Sequence, residues 1–277
     1  MRVGVVGAGG AMGLTVCSAI VAQEDMELVA AVDPRLAGMD FRHATGLAVS
    51  GPQFVGDLES LRYDTPDVIV DFSVAEAARA TLRFCADLGI AAVVGTTGID
   101  QGELLELGRR FEVSHTGCIV AANFSLGAVL MMHFAELAAP LFDTAEIVEM
   151  HHNAKRDAPS GTALMTAQRM DAALRSHGSG SFAEDPTLSE EPARSRGLRS
   201  EGGVHIHSLR VAGTVAHQEV ILGTDGQTLT LRHDSYDRRS FMPGVLLAIR
   251  AVRSVVGLQQ GIDALVVGRL GGETRGG

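Results

Sequence analysis

The sequence has 277 residues, of which 46% are hydrophobic and 20% charged. That is enough to bury one large core or two modest ones, and it excludes general disorder. Aromatic residues make up only 4%, with no Trp, and 23 Lys and Arg stand against 33 Asp and Glu for a formal charge of −10. A stacking platform for single-stranded nucleic acid is therefore not expected, and neither is attraction to phosphodiester backbones or anionic lipid surfaces.

Cys17, Cys85 and Cys118 form an odd, widely spaced set without a CxxC pair, so neither a disulfide framework nor a structural zinc site is expected. No apolar run approaches the roughly 18 residues of a membrane span. Met1 leads directly into a strand-like segment without signal-peptide anatomy, and a cytoplasmic protein is expected.

In chain order, β-branched runs alternate with helix-period stretches through the first half, the pattern of βαβ units closing into a parallel sheet. Strands are predicted near Val3–Val6, Leu28–Val32, Val68–Phe72, Ala91–Val94 and Cys118–Ala121, with helices over Leu14–Ala22, Val74–Leu88 and Gln101–Phe111. Ser73 with Glu76, and Asp100 with Glu103, carry capping-box spacing at two of the helix starts. A long apolar helix follows over about Leu126–Leu141, then a strand over Ile147–His151 and a polar loop containing Pro159. Residues 177–203 lack periodicity and read as a long mobile loop. Strands return at Val204–Val211, Gln218–Leu222 and Thr228–His233, expected to be antiparallel, with Thr224-Asp225-Gly226 as the turn between the last two. Phe241–Val256 reads as the final helix. The predicted fold is α/β: a Rossmann-like parallel sheet joined to a second α+β domain built on a mixed sheet. The first domain spans 1–124 and is completed by 241–277; the second spans 125–240.

The segment Gly7-Ala8-Gly9-Gly10-Ala11-Met12-Gly13 follows a strand and opens a helix, the order that brings a pyrophosphate onto backbone N–H groups. Gly7 suits the tight turn, Gly10 the close approach of phosphate, and Gly13 the packing of helix on strand. Met12 takes the place of the third glycine in the strict GxGxxG, and a purely structural turn is the alternative. Asp33 ends the second strand about 20 residues further on, where an acid accepts from the adenosine ribose; the alternative is a solvated turn acid beside Pro34. Arg35 can meet a 2′-phosphate, so NADH and NADPH both stay open. Gly95-Thr96-Thr97-Gly98 ends the fourth strand, where it either faces a nicotinamide or forms an ordinary strand-to-helix turn.

Residues Glu149 to Ala163 gather two imidazoles and two cations in an acidic chain. Ser160 is a plausible N-cap for a helix from about Thr162 to Leu174, whose opening N–H groups at Gly161 and Thr162 would face a bound carboxylate. Lys155 offers a point charge and a histidine offers a proton donor. His151 and His152 project to opposite faces of a strand, so only one need be the acid. No third ligand at metal spacing accompanies them, and no metal is expected. His205 and His207 share one face of a later strand, as ordinary strand residues or as pocket wall.

These motifs together resemble the dihydrodipicolinate reductase family, 4-hydroxy-tetrahydrodipicolinate reductases of lysine and diaminopimelate synthesis. The resemblance spans nearly the whole chain. It is carried by VGVVGAGGAMG at the start, VDFS at 70–73, VVGTTG at 93–98, AANFSLGAVL at 121–130, EMHHNAKRDAPSGTA at 149–163, VAHQEVILG at 215–223 and the stretch from Arg232 to Arg250.

The resemblance implies an NADH- or NADPH-dependent reductase in which Gly7, Ala8, Gly9, Gly10, Ala11, Met12 and Asp33 hold the dinucleotide. Gly95, Thr96 and Thr97 would lie near the nicotinamide, and Ala121, Ala122, Asn123 and Phe124 would join them at a hinge. His151 looks like the general acid and Lys155 like the second proton-donating or charge-stabilising group, with His152, Ser160, Gly161 and Thr162 binding a substrate dicarboxylate. A homotetramer assembled through the second sheet is also implied. Val74 departs from the family at a position where some members carry an arginine, which weakens any strong NADPH preference. The alternatives are another two-domain dehydrogenase of an amino acid or sugar, or a dinucleotide sensor without chemistry.

Overall fold

The computed structural model describes residues 1–46, 51–187 and 195–270. The chain forms two compact units: Met1–Leu126 with the stretch from Phe241, and Gly127–Ser240. The first unit runs β1 (Arg2–Val6), α1 (Ala11–Val21), β2 (Glu27–Val32), α2 (Phe41–Thr45), β3 (Phe54–Val55), β4 (Val68–Asp71), α3 (Ala75–Leu88), β5 (Ala91–Val94), α4 (Gln101–Val113) and β6 (Gly117–Val120). Three more elements complete it: α7 (Met242–Val252), β12 (Gly257–Gln260) and α8 (Asp263–Leu270).

Its seven strands are all parallel, in the order β12-β6-β5-β4-β1-β2-β3. Strands β4 and β5 are buried at every residue, which is why they read as unbroken apolar runs: helices cover both faces of such a sheet. Leu82, Phe111, Ile69 and Cys118 are fully buried in the core between α3, α4 and the sheet. The strand order reverses between β1 and β4, and the carboxyl ends of strands at such a switch point are where an open α/β sheet binds ligands.

The second unit holds α5 (Leu126–Ala138), β7 (Thr144–His151), α6 (Gly161–Ser176), β8 (Leu198–Arg199), β9 (His205–Arg210), β10 (Ala216–Thr224) and β11 (Gln227–Ser235). The sheet order is β11-β10-β7-β9-β8. Ala145, Ile147 and Glu149 of β7 are buried on the face that carries the core with Met170 and Leu174 of α6, while Glu146, Val148 and Met150 alternate on the other face.

Several sequence expectations need correction. Ser73 does not cap α3, because its hydroxyl donates to Asp71 Oδ1 at 2.6 Å and Val74 takes the N-cap place with no side-chain bond. Asp100 and Glu103 do form the capping box of α4. The apolar helix α5 stops at Ala138 and tightens into a 3₁₀ turn over Ala139–Leu141, since Pro140 lacks the N–H that would continue it and crowds the preceding turn. The second sheet is mixed, as expected, and β10 and β11 pair antiparallel, but β9 lies parallel to β7 and pairs antiparallel only with the short β8.

Part of the expected loop at 177–203 is ordered. Phe182 joins the core, its N–H donates to Gly202 O at 2.8 Å, and Leu198–Arg199 adds a short edge strand; residues 188–194 of that loop lie outside the described residues. The helix expected over Phe241–Val256 is interrupted as well. It ends at Val252, and the chain lays β12 along β6 before forming α8.

Candidate active site

In the first unit, β1 runs into a turn at Gly7, which adopts φ 73°. Its N–H and that of Ala8 both donate to Val32 O at the end of β2, at 2.9 and 3.1 Å. A Cβ at Gly13 would stand 2.1 Å from Gly7 O and 2.7 Å from Ala8 Cα, so only glycine lets α1 pack this closely on the turn. Gly10 is the N-cap of α1 and no side chain caps it. The opening N–H groups at Ala11 and Met12 precede any intrahelical acceptor, which suits a pyrophosphate. The residues present therefore fit a dinucleotide.

Asp33, just past β2, is almost fully buried and accepts from Gly9 N–H at 3.1 Å. The Arg35 guanidinium forks onto the same carboxylate at 3.0 and 2.9 Å and holds it below the usual carboxylate range. Gly95 and Thr96 lie past the end of β5, and Ala121, Ala122, Asn123 and Phe124 past the end of β6. All these positions share the carboxyl rim of one parallel sheet. Asn123 Oδ1 accepts from Ser125 N–H at 2.8 Å, and the Phe124 ring lies 5.7 Å from that of Phe72.

Asp71 was not singled out from the sequence. Fully buried at the end of β4, it accepts from Ser73, Thr81 and Thr96 hydroxyls at 2.6, 2.6 and 3.0 Å. It thereby fixes the Gly95-Thr96-Thr97 turn against its neighbour strand.

In the second unit the period of two along β7 puts Glu149 and His151 on the same face. Glu149 is wholly buried, and His151 Nδ1 lies 2.5 Å from its Oε2. Arg210 of β9 forks onto the same carboxylate at 2.9 and 3.0 Å, and the Ser160 N–H donates to Oε1 at 3.2 Å. Burial pushes the Glu149 carboxyl up, but hydrogen bonds from Arg210, Ser208 and His151 outweigh it and hold the group below its ordinary range. Burial likewise pushes His151 down, opposed by Glu149 and assisted by Lys155 and Arg210, and the net displacement is downward.

His152 is exposed, beyond the end of the strand. Lys155 Nζ pairs with both oxygens of Asp157, at 2.9 and 2.7 Å, and it is the only lysine in the sequence. Ser160 caps α6, its Oγ accepting from Ala163 N–H at 3.2 Å. Gly161, the first helical residue, has open space where a side chain would project, and Thr162 follows it.

Glu149, Arg210 and Asp157 escaped the sequence reading, although an acid two residues before His151 on a strand was a usable sign. His205 and His207 are engaged elsewhere: His205 Nε2 lies 3.0 Å from Asp185, and His207 Nε2 lies 2.5 Å from Glu146. These contacts, with Arg196 paired to Glu146 and Asp185, anchor the flanks of the 177–203 segment. Among the described residues no helix is long and apolar enough to cross a membrane.

A glycine turn opening an uncapped helix at a switch point, together with a unit carrying an imidazole on a buried ion pair, defines a two-part nicotinamide-dinucleotide oxidoreductase. Residues 1–124 match the family model "Dihydrodipicolinate reductase, N-terminus" and residues 127–263 match "Dihydrodipicolinate reductase, C-terminus". The chain belongs to the dihydrodipicolinate reductase family.

It is 46% identical over 267 residues to a 4-hydroxy-tetrahydrodipicolinate reductase of Moorella thermoacetica, covering 96% of this chain and 98% of that protein. A reductase of the same description from Cutibacterium acnes is 47% identical over 268 residues, with the same coverage. Among solved structures, a dipicolinate-bound dihydrodipicolinate reductase from Paenisporosarcina sp. TG-14 superposes with a TM-score of 0.82 at 39% identity, covering 95% of this chain and 98% of that one.

Proposed function

We propose that the chain reduces 4-hydroxy-tetrahydrodipicolinate, or the dihydrodipicolinate formed from it by loss of water, to tetrahydrodipicolinate in lysine and diaminopimelate biosynthesis. The observation that carries this reading is the cluster at the start of α6. A proton-bearing imidazole, a lone lysine and an open helix start lie within twelve residues of one another, which matches the needs of a planar anionic imine. The dipicolinate held by the 39% identical relative is a diacid of that shape.

The dinucleotide, held by Gly7 to Met12 and Asp33 with Gly95 to Thr97 and Ala121 to Phe124 beside it, supplies the hydride when bound. On the substrate side, Gly161 and Thr162 receive one carboxylate at the helix start capped by Ser160, with His152 beside it. Lys155 exchanges Asp157 for the substrate anion and steadies the charge that develops as the ring is reduced. His151 then gives its proton to the carbon next to the one reduced, and the ring leaves as the cyclic imine. A positioned donor of this kind is worth roughly 10²–10⁴-fold in rate.

Both NADH and NADPH serve in this reading. Asp33 suits a free ribose diol, while the Arg35 side chain, 72% exposed, is able to swing toward a 2′-phosphate. A cytoplasmic homotetramer completes the proposal. Its support is the face of the second sheet that alternates away from the core, where Val148, Met150 and Ile221 are half-buried and Leu209 is 40% exposed.

The deciding experiment follows NADH and NADPH oxidation with freshly generated synthase product. Wild type should consume both cofactors, and His151→Gln should lose roughly 100-fold or more in kcat at little changed KM. Normal turnover by His151→Gln, or no oxidation by wild type, would overturn the assignment.

A further inference from the structure

We propose that Glu149 is the positioning residue of the proton donor: its buried carboxylate keeps the proton of neutral His151 on Nδ1, leaves Nε2 as the delivering atom, and ties the ring to the helix start that receives the substrate. The inference rests on the reading of His151 as general acid and deepens it.

Glu149 has no exposed surface, and both its oxygens are committed. Oε1 accepts from Arg210 Nη2 and from the Ser160 N–H, and Oε2 accepts from Arg210 Nη1. An ionised carboxylate only accepts hydrogen bonds, so the 2.5 Å approach of His151 Nδ1 requires a proton on that nitrogen in either charge state of the ring. The tautomer is thereby fixed, as a carboxylate or carbonyl on the second nitrogen fixes it elsewhere.

One carboxylate thus joins three separate elements. His151 ends β7, Arg210 ends β9 and also donates to the Asp157 carbonyl at 2.6 Å, and Ser160 caps α6. Movement of the substrate-carboxylate site relative to the proton donor must break a bond to Glu149. A simple structural buttress would need the Arg210 fork alone; the additional contacts to the imidazole and to the cap residue are what a positioning role demands.

The charged groups acting on the ring come from each neighbouring element: Glu149 on its own strand, Arg210 on β9, and Lys155, itself paired with Asp157, on the loop leading to α6. On β10 the residue opposite Glu149 is the uncharged Gln218. Glu149 is the one group among these that raises the proton affinity of His151, while Lys155, Arg210 and burial lower it. Glu149→Gln removes the supporting influence and keeps the others.

The test combines a pH profile with a spectroscopic measurement. In wild type, kcat should fall as pH rises through the His151 titration, because the acid is lost. In Glu149→Gln that descending limb should move to lower pH by about 1 to 3 units, as expected for removal of a contacting opposite charge, with about tenfold or greater loss of kcat near pH 7.5. A limb that stays in place while kcat drops would reduce Glu149 to a structural support and overturn the proposal.

The second arm uses wild-type protein labelled with ¹⁵N-histidine, so it survives a Glu149→Gln chain that fails to fold. The His151 signals are identified by their absence in His151→Gln. Above the titration, Nδ1 should carry the proton; a neutral ring protonated at Nε2 would overturn the proposal. Normal activity of His151→Gln would instead sink the general-acid reading, whatever the tautomer, so the two failures are distinct.

Discussion

Asp33 with Arg35 in the first unit and Glu149 with Arg210 in the second are both arginine forks on a carboxylate near a strand end, and the two behave in opposite ways. Asp33 and Arg35 sit two residues apart on a turn, with the guanidinium 72% exposed. Glu149 and Arg210 are drawn together from different strands, with the carboxylate fully buried and the guanidinium 19% exposed. The first fork opens by rotating one solvated side chain and leaves Asp33, itself 4% exposed, with its Gly9 N–H bond, a smaller cost than stranding both partners of a buried pair. The second cannot open without leaving a charge stranded in the protein interior. A ligand group is able to compete for Asp33, whereas nothing competes for Glu149, and its role is to hold other groups in place.

The largest expected effect breaks the buried fork. Arg210→Met should destabilise the protein by about 3 kcal/mol, the lower end for removing one partner of a buried pair, read as a drop in the urea midpoint. An unchanged midpoint would mean that Glu149 finds other compensation and that the contrast between the forks is false. Next in size is Lys155→Arg. Every other Lys or Arg position in the sequence is an arginine, so keeping an ammonium here points to a task that a guanidinium, which does not release its proton, performs poorly. The substitution preserves charge, and a loss of roughly 100-fold in kcat/KM would assign proton handling to this position; a few-fold loss would leave it a simple anion holder. The lone lysine also makes reductive methylation specific to Lys155 and the amino terminus, and substrate analogue should protect the former.

Gly13→Ala sharpens the backbone side of the comparison. Its Cβ has nowhere to go without moving the Gly7 carbonyl, so a stability loss of about 1–3 kcal/mol is expected, accompanied by weaker dinucleotide binding in a fluorescence titration. Equal binding with lower stability would separate the packing of α1 from its role in holding phosphate.

How far each site was legible follows from how it is built. The glycine turn is local: spacing, φ and the following helix all lie within seven residues, and the sequence displays them directly. Ser160 at the cap of α6 and the capping box at Asp100 are equally local, and both were visible. Ser73 misleads because the choice between capping α3 and bonding Asp71 depends on Thr81 and Thr96 arriving at the same carboxylate. The Glu149 cluster was hidden for the same reason, since Arg210 lies 61 residues away and reaches the site through the parallel pairing of β9 with β7. The break between α7 and β12 is likewise tertiary: Val255 and Val256 continue an apolar helical pattern, but the edge of β6 offers ladder partners that a helix would leave unpaired.

A smaller effect tests the exposed fork. Arg35→Ala should leave the melting temperature where it was and NADH kinetics nearly unchanged, while KM for NADPH rises several-fold as a 2′-phosphate loses its nearest cation. A rise for both cofactors would mean that Arg35 orders Asp33 for ribose binding instead of selecting between them, and the fork would then be a positioning device like its buried counterpart.

The subtlest difference lies in the pH dependence of stability. His151 and Glu149 both have folded-state proton affinities below their ordinary values. In each case the unfolded chain binds more protons in the interval between folded and unfolded pKa, so stability rises with pH across it. The contribution of His151 is complete above about pH 6.5 and is lost as pH falls below that value; that of Glu149 is complete above about pH 4.3 and is lost as pH falls further. Urea midpoints taken from pH 7.5 downward should therefore fall in two stages; His233, whose proton affinity burial also lowers, shares the first, so His151→Gln should reduce that loss without abolishing it. Asp33 adds a third loss at the lowest pH, since Arg35 holds it down as well, but its partner is solvated and screened, so Arg35→Ala should barely alter the curve. A curve altered as much by Arg35→Ala as by His151→Gln would mean that solvation of the partner does not separate the two forks.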